Sequence, residues 1–374
     1  MAWMTASEAL AALGVKPQTL YASVSRGRIA AKPDPKDPRR SLYSASDVKK
    51  LAARARGAPR SQTVAAQSLA WGEPVLTTAL STVEQGRLLY RGADAATLAQ
   101  TAGLEEVAAL LWGAEAPVAL RNDGAAIAGA TGRARLFAAL AARVVQDPPS
   151  LGRSAALLRR DAAEVAGVVL LAAAGPGQGK AHERLAHAWG SPPDPVRRAL
   201  VLLADHELNA STFAARVAVS TGASLAAGVL AGLAALTGPL HGAAGLALLA
   251  LKADADRSGP EQAVASWLAQ GRALPAFGHP LYPEIDPRGV AMLEGVEIGA
   301  DWTALAQAAA ERSGEAPNVD FALAALTDRF SWPAEAPFVL FAVARTVGWL
   351  AHGIEQAGSG GLIRPRARYV GPRL

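Results

Sequence analysis

The apolar positions of the chain recur at helical rather than strand spacing over most of its length. Thr5-Ala6-Ser7-Glu8 forms a capping-box pattern that opens a short helix with Ala9, Leu10 and Leu13 on its apolar side. Lys16-Pro17 starts a second helix running to about Ser25, with Leu20 and Val24 inward and Gln18, Tyr21, Ser23 and Arg26 outward; Gly27 ends it. Residues 32–40, KPDPKDPRR, read as a proline-stiffened basic loop, and Ser44 to Asp47 cap a third helix, DVKKLAARA. Beyond a GAPRSQT linker at 57–63, Ala-rich helices are predicted over 134–145 and 161–174. One continuous small-residue helix is predicted over 213–236, stopped by Thr237-Gly238-Pro239. Further helices follow over 246–255, 260–269 and 305–312. A long amphipathic helix over 338–355 carries Arg345 amid apolar neighbours. No internal repeat is present, and no alternating strand pattern of convincing length, so the pattern predicts an all-α chain.

Composition sharpens this picture. The 374 residues are 51% hydrophobic, only 5% aromatic and include 36 Gly, which favours closely packed helices over sheet. The absence of cysteine excludes disulfides, thiolate nucleophiles and Cys-zinc sites, and makes a reducing cytoplasm the expected compartment. The opening MAWMTASEALAALG lacks a basic segment followed by an apolar core, so it is not expected to be a signal peptide. The uncharged run near 217–251 is interrupted by Gly238, Pro239 and His241 and rich in weakly inserting Ala and Gly. It reads as a buried core, and no membrane partner is expected. The net charge of +5 is uneven: residues 1–60 hold 12 Lys/Arg against four Asp/Glu, a balance of +8, which leaves −3 for the rest.

The chemistry concentrates in residues 204–245, ADHELNASTFAARVAVSTGASLAAGVLAGLAALTGPLHGAAG. Either histidine of this stretch, His206 or His241, would alone read as a hydrogen-bonded core or loop residue. Together DHE-x-NAST and GPLHG resemble the hallmark of the citrate synthase family, in order and at the family's distance. The resemblance runs from about Ser68 to the C-terminus and takes in LLYRG, FGHPLYPEIDPR, PNVD, FAVAR and IRPR.

The resemblance implies a citrate synthase fold, with a large helical domain formed by 64–251 and 336–374 and a small mobile domain, 252–335. It implies catalytic roles for Asp320 as carboxylate base, His241 as donor to a thioester enolate, and His279 as donor to a ketone. His206, Arg288, Arg345 and Arg364 would bind oxaloacetate, with Arg364 reaching in from the other subunit of a homodimer. Backbone groups of Ala273, Leu274, Ala276 and Gly278 would hold the adenine of coenzyme A. No cofactor and no metal are implied, acyl-CoA being a substrate; His182, His187 and His352 match nothing in the family and read as structural or exposed. The implied reaction is acetyl-CoA, oxaloacetate and water to citrate and CoA. A 2-methylcitrate synthase using propionyl-CoA and a regulator using the fold as a metabolite sensor are the alternatives.

The chain departs from the family on the CoA side. Pro280 and Pro283 stand where Arg or Lys is usual, FALAAL follows Asp320 in place of FYSG, and Gly245 stands where Asn is common. The Gly-rich GPGQGK at 175–180 lacks phosphate-loop spacing and reads as a helix connection. Ahead of the linker, residues 1–56 resemble a helix-turn-helix of the MerR/excisionase type, with Gln18 and Arg26 facing bases and Arg39 and Arg40 touching phosphate of duplex DNA. A helical cap or oligomerisation module is the alternative for this segment.

Overall fold

A computed structural model describes residues 3–13, 20, 24, 29–34, 37–49, 76–120, 132–242, 244–367 and 369–372. The chain divides into two compact units, Met1–Thr77 and Thr78–Leu374.

In the first unit the expected capping box forms. Glu8 accepts the Thr5 N–H at 2.7 Å, and the Thr5 hydroxyl accepts the Glu8 N–H at 3.4 Å, which starts the helix Ala6–Leu13. Of the second expected helix only Leu20 and Val24 lie within the described residues; both are helical and pack into a small core with Ala9, Leu13, Ile29, Tyr43 and Val48. Gln18 and Arg26 lie outside the described residues, as do the side chains of Arg39 and Arg40. Residues 32–40 correct the sequence reading. The described ones, 32–34 and 37–40, lie in antiparallel strands, Ala31–Asp34 against Asp37–Ser44, with Trp3–Met4 added to the other edge of the latter. Pro33 sits at the bulge that shifts the register, a place where its missing N–H costs little.

Among the described residues the regular structure of the second unit is helical apart from a small meander, Ser81–Glu84, Arg87–Tyr90 and Ala93–Asp94. These strands are too short for their alternation to stand out in the sequence. The predicted helix over 213–236 is two helices, Ala210–Ser220 and Leu225–Leu236. Gly222 takes φ +87° between them, and the Ser224 hydroxyl caps the second by accepting the Ala227 N–H. The apolar pattern hid this break because small residues continue through it.

Two apolar cores organise this unit. The larger gathers the helices Leu104–Trp112, Ala155–Ala174, Pro193–Leu203, Ala210–Ser220, Leu225–Leu236 and Ala336–Ser359. The smaller gathers Ala244–Ser258, Pro260–Ala269 and Ala300–Ser313. The helix Val319–Arg329 belongs to both. Val319, Ala322, Leu323 and Leu326 face the larger core, and Phe321, Ala324 and Ala325 the smaller. Asp320 is thereby fixed at the seam.

The long helix Ala336–Ser359 is apolar enough to cross a membrane, yet 89% of its apolar window is buried within the unit. Glycines set how close its neighbours come. A Cβ on Gly232 would stand 2.7 Å from the Trp349 ring, and one on Gly348 would stand 2.4 Å from both the Ala204 carbonyl oxygen and Asp205 Oδ1. Gly348→Ala is therefore expected to lower stability by about 1–3 kcal/mol, since backbone must move. Gly245→Ala, whose Cβ meets nothing within 4 Å, should instead raise it by about 0.5 kcal/mol. Urea melts of the two variants check the contrast.

Candidate active site

The site begins where the helix Pro193–Leu203 ends. Asp205 is fully buried there; its Oδ2 accepts the Ser81 hydroxyl at 2.5 Å and His352 Nε2–H at 3.2 Å. Arg216 Nη1 donates to His352 Nδ1 at 3.3 Å, which leaves the His352 proton on Nε2. The next residues, His206 and Glu207, are pinned by the meander. Glu207 accepts the Val83 N–H at 2.6 Å, and its own N–H donates to Ser81 Oγ at 2.9 Å, holding a left-handed φ of +50°. His206 is 7% exposed, and its Nε2 lies 2.9 Å from the Tyr282 hydroxyl. Burial, then the charges of Arg288 and Arg345, hold its pKa well below the usual imidazole range.

His241 stands on the turn after Leu225–Leu236, its Nε2 2.8 Å from Ser211 Oγ and its ring edge-on to Phe341 at 6.2 Å. Ser211 is in turn anchored to Asn209, the cap of its own helix, at 2.7 Å. Burial, helped by Arg345, lowers His241 to about 4. His279 is likewise held at about 4, by burial and then Arg288. Its Nδ1 accepts the Leu281 N–H at 3.1 Å, so in the neutral ring the proton sits on Nε2, a ready donor. The rings of His206 and His279 meet edge to face at 5.1 Å.

Two arginines join the three imidazoles. Arg345, 1% exposed, donates through Nε to the Leu203 carbonyl at 2.8 Å, while its Nη2 has no partner among the described residues. Burial lowers its pKa to about 10, with Asp205 opposing. A buried guanidinium with an unmet donor is a site for an anion. Arg288 is paired through Nε and Nη2 with Asp286 at 2.9 and 2.8 Å, and Asp286 Oδ2 also accepts the Val319 N–H at 3.1 Å. That pairing takes one edge of a guanidinium expected to face a substrate carboxylate. Asp320 follows Val319. Asn318, rather than Asp320, caps this helix by accepting the Asp320 N–H at 2.9 Å. Loss of water around the Asp320 carboxyl raises it to about 6, even though Arg288 and Arg345 pull it down.

Between them the charges of Arg288 and Arg345 act on His206, His241, His279 and Asp320. Arg364 is not among them. It lies on the exposed extended C-terminal segment, where the Ile363 N–H donates to Ser220 Oγ at 3.1 Å. Of the residues expected to hold adenine, Leu274 and Ala276 are buried, Ala276 with φ +65°. The Ala276 carbonyl and the Gly278 N–H are engaged with Asn318 and Ala316, at 3.0 and 2.9 Å. These bonds tie the 273–282 loop to the segment that carries Asp320. Beside it lies a cavity of about 430 Å³ lined by His279, Pro283, Glu284, Asp286 and Glu315, with no Lys or Arg in its lining.

A sequence model described as "Citrate synthase, C-terminal domain" matches residues 69–366. The chain belongs to the citrate synthase family. It is 38% identical over 193 residues to citrate synthase of Haloferax volcanii, a match covering 47% of this chain and 49% of that one. The chain spans about half the length of the curated relatives it matches. Among solved structures it resembles citrate synthase of Thermotoga maritima, with a TM-score of 0.68 and 25% identity over 82% of this chain and 96% of that one. It also resembles the Thermoplasma acidophilum citrate synthase in ternary complex with carboxymethyl coenzyme A and oxaloacetate: TM-score 0.66, 26% identity, 80% and 95% covered. The citrate synthase fold of the second unit is established by these matches.

Sequence reasoning passed over Tyr282, Ser211 and the Asp205–His352–Arg216 chain. His352 sits seven residues after Arg345, on the same helix face, which was the available signal.

Raising the native Asp320 pKa to about 6 has a thermodynamic cost. Between roughly pH 4, the unfolded value, and pH 6 the native state holds a proton that the unfolded state has lost, so stability falls as pH rises through that window. Asp320→Asn removes the penalty. It is expected to be more stable than the parent by about 2–3 kcal/mol at pH 8, with the gap closing near pH 4. Urea melts across pH test this; a gap that does not vary with pH would contradict the raised carboxyl.

Proposed function

We propose that the second unit condenses acetyl-CoA with oxaloacetate and water to give citrate and CoA. The observation that carries this reading is the Asp320 carboxyl, raised to about 6, under the charges of the same Arg288 and Arg345 that act on two imidazoles held neutral near 4, with the Arg345 donor unmet among the described residues. Asp320 takes a methyl proton of the thioester, and His241 stabilises the enolate oxygen through Nδ1–H once the Ser211 hydroxyl, which here donates to Asn209 Oδ1, turns to donate to His241 Nε2. The enolate carbon attacks the oxaloacetate ketone; as the carbon–carbon bond forms, His279 Nε2–H donates a hydrogen bond to the developing alkoxide, which is protonated as Asp320 gives up the proton it took. Water then cleaves the thioester, releasing citrate and CoA. Arg288, Arg345 and His206 hold the two carboxylates of oxaloacetate. Propionyl-CoA, giving 2-methylcitrate, differs by one methylene, worth about 1–3 kcal/mol of discrimination.

The carboxylate-lined cavity supports a second reading. Coenzyme A is a polyanion, yet Pro280 and Pro283 stand where cations are usual, and Glu284, Asp286 and Glu315 line the cavity beside His279. In this reading the cleft binds oxaloacetate as a signal and the first unit acts on duplex DNA. Thiol release from acetyl- or propionyl-CoA in the presence of oxaloacetate separates the two: turnover supports the enzyme, and oxaloacetate binding without turnover supports the sensor.

Arg364, exposed on its extended segment, is read as completing the cleft of a second copy in a homodimer. Mixing inactive Arg364→Ala with inactive Asp320→Asn subunits should restore activity in hybrids, each of which holds one intact site. Hybrids that form and stay inactive would sink the shared-site reading.

The first unit is read as a helix-turn-helix whose antiparallel strands are the wing, supported by the +8 balance of residues 1–60 and the strands' place after the helical pair. DNA affinity should fall steeply with salt. Arg39→Ala with Arg40→Ala should flatten that dependence, whereas changing Gln18 or Arg26 should alter sequence preference. Gel shifts on the full chain and on protein lacking residues 1–60 provide the check. Equal retention of DNA by both at low salt would assign the unit to oligomerisation.

A further inference from the structure

Tyr282 lies within the same loop as His279 and has no role in the reading above. It is 3% exposed, and its backbone N–H closes a turn onto the His279 carbonyl at 2.9 Å. Its ring sits 5.0 Å from His279 and 5.7 Å from His206, and the Arg288 guanidinium lies 5.2 Å over it. One side chain therefore touches three of the groups assigned to the substrate.

The hydroxyl decides a proton position. Among the described residues its hydrogen bond is to His206 Nε2, at 2.9 Å. A buried hydroxyl proton needs an acceptor, and burial keeps this phenol protonated by pushing its pKa up. The hydroxyl is then the donor and Nε2 the acceptor. His206 is neutral, so its own proton rests on Nδ1.

We infer that Tyr282 is a positioning residue, whose hydroxyl locks His206 in the Nδ1–H tautomer so that the ring offers a donor to the anionic substrate. The inference rests on the reading of the cleft as an oxaloacetate site. His279, locked with its proton on Nε2 by the Leu281 N–H, is the matching half. The loop thus sets both imidazoles as neutral donors, His279 through a backbone amide and His206 through a phenol. Two neutral donors suit a dianionic ketone. They polarise it without the cost of burying a further charge beside Arg288 and Arg345.

The test uses the full chain with nitrogen-15-labelled histidine, His206 being assigned from a His206→Gln spectrum. The ring nitrogen shifts of the parent should report Nδ1 protonated and Nε2 bare; a proton on Nε2 overturns the proposal without any need for a variant. Tyr282→Phe keeps the ring and its Arg288 contact. It should shift His206 toward the Nε2–H form and weaken oxaloacetate binding, read by calorimetry, by about tenfold. The KM for oxaloacetate should rise to match, with kcat changed far less. Unaltered histidine shifts and oxaloacetate affinity in Tyr282→Phe, with loss only in Tyr282→Leu, would assign the residue to packing and overturn the proposal. Calorimetry and NMR need no turnover, so failure of the condensation reading shows separately, as absent thiol release with oxaloacetate still bound.

Discussion

The buried carboxylate of Asp205 is the interaction on which the second unit's chemistry hangs. A fully buried carboxylate is costly unless its partners are in place. Here three residues on two elements supply them: Ser81 on the meander, and His352 and the charge of Arg345 on the long C-terminal helix. Through His352 the chain continues to Arg216 and thence to Glu355 at 2.6 Å and Gln356 at 3.0 Å. Glu355 accepts the Ala79 N–H at 2.8 Å, which brings the network back to the start of the unit. The ring of His206 and the strained Glu207 are held one and two residues beyond this anchor.

Desolvation is the common cause of the site's electrostatics. The same burial lowers the three imidazoles, lowers Arg345 and raises Asp320. Each shift opposes charge, and the arginines do not reverse it at Asp320. Such a cleft keeps its histidines as neutral donors and its carboxyl as a base of intermediate strength, a division of labour suited to proton transfer near neutral pH.

The residues that come together here were legible because their motifs are short, polar and set in apolar surroundings. DHE, LHG, GHP, PNVD and VAR each interrupt a hydrophobic run. Helix positions were equally legible where Ala and Leu repeat, as in Pro260–Ala269, whose bounds match the expected 260–269. What stayed hidden depends on three-dimensional proximity. The break at Gly222 carries only small polar neighbours, Ser220, Thr221 and Ser224, which interrupt the small-residue run without a charge or a proline. The strands near Ser81 are only four residues long, and the strands within 31–44 are stiffened by prolines that argue locally against strand. Tyr282 drew no reading within FGHPLYPEIDPR, since nothing in its spacing announces that its hydroxyl meets a histidine 76 residues away.

Asp286 joins two parts of the cleft that the chain could have kept separate. One carboxylate neutralises Arg288 and also caps the approach to the Asp320 helix by accepting the Val319 N–H. An anion drawn to the remaining face of Arg288 adds negative charge close to Asp320 and favours its protonated form. By thermodynamic reciprocity the protonated Asp320 must hold that anion more tightly, by the same factor. Anion occupancy and Asp320 protonation are therefore one coupled equilibrium, and the apparent pKa of Asp320 depends on which anion is bound.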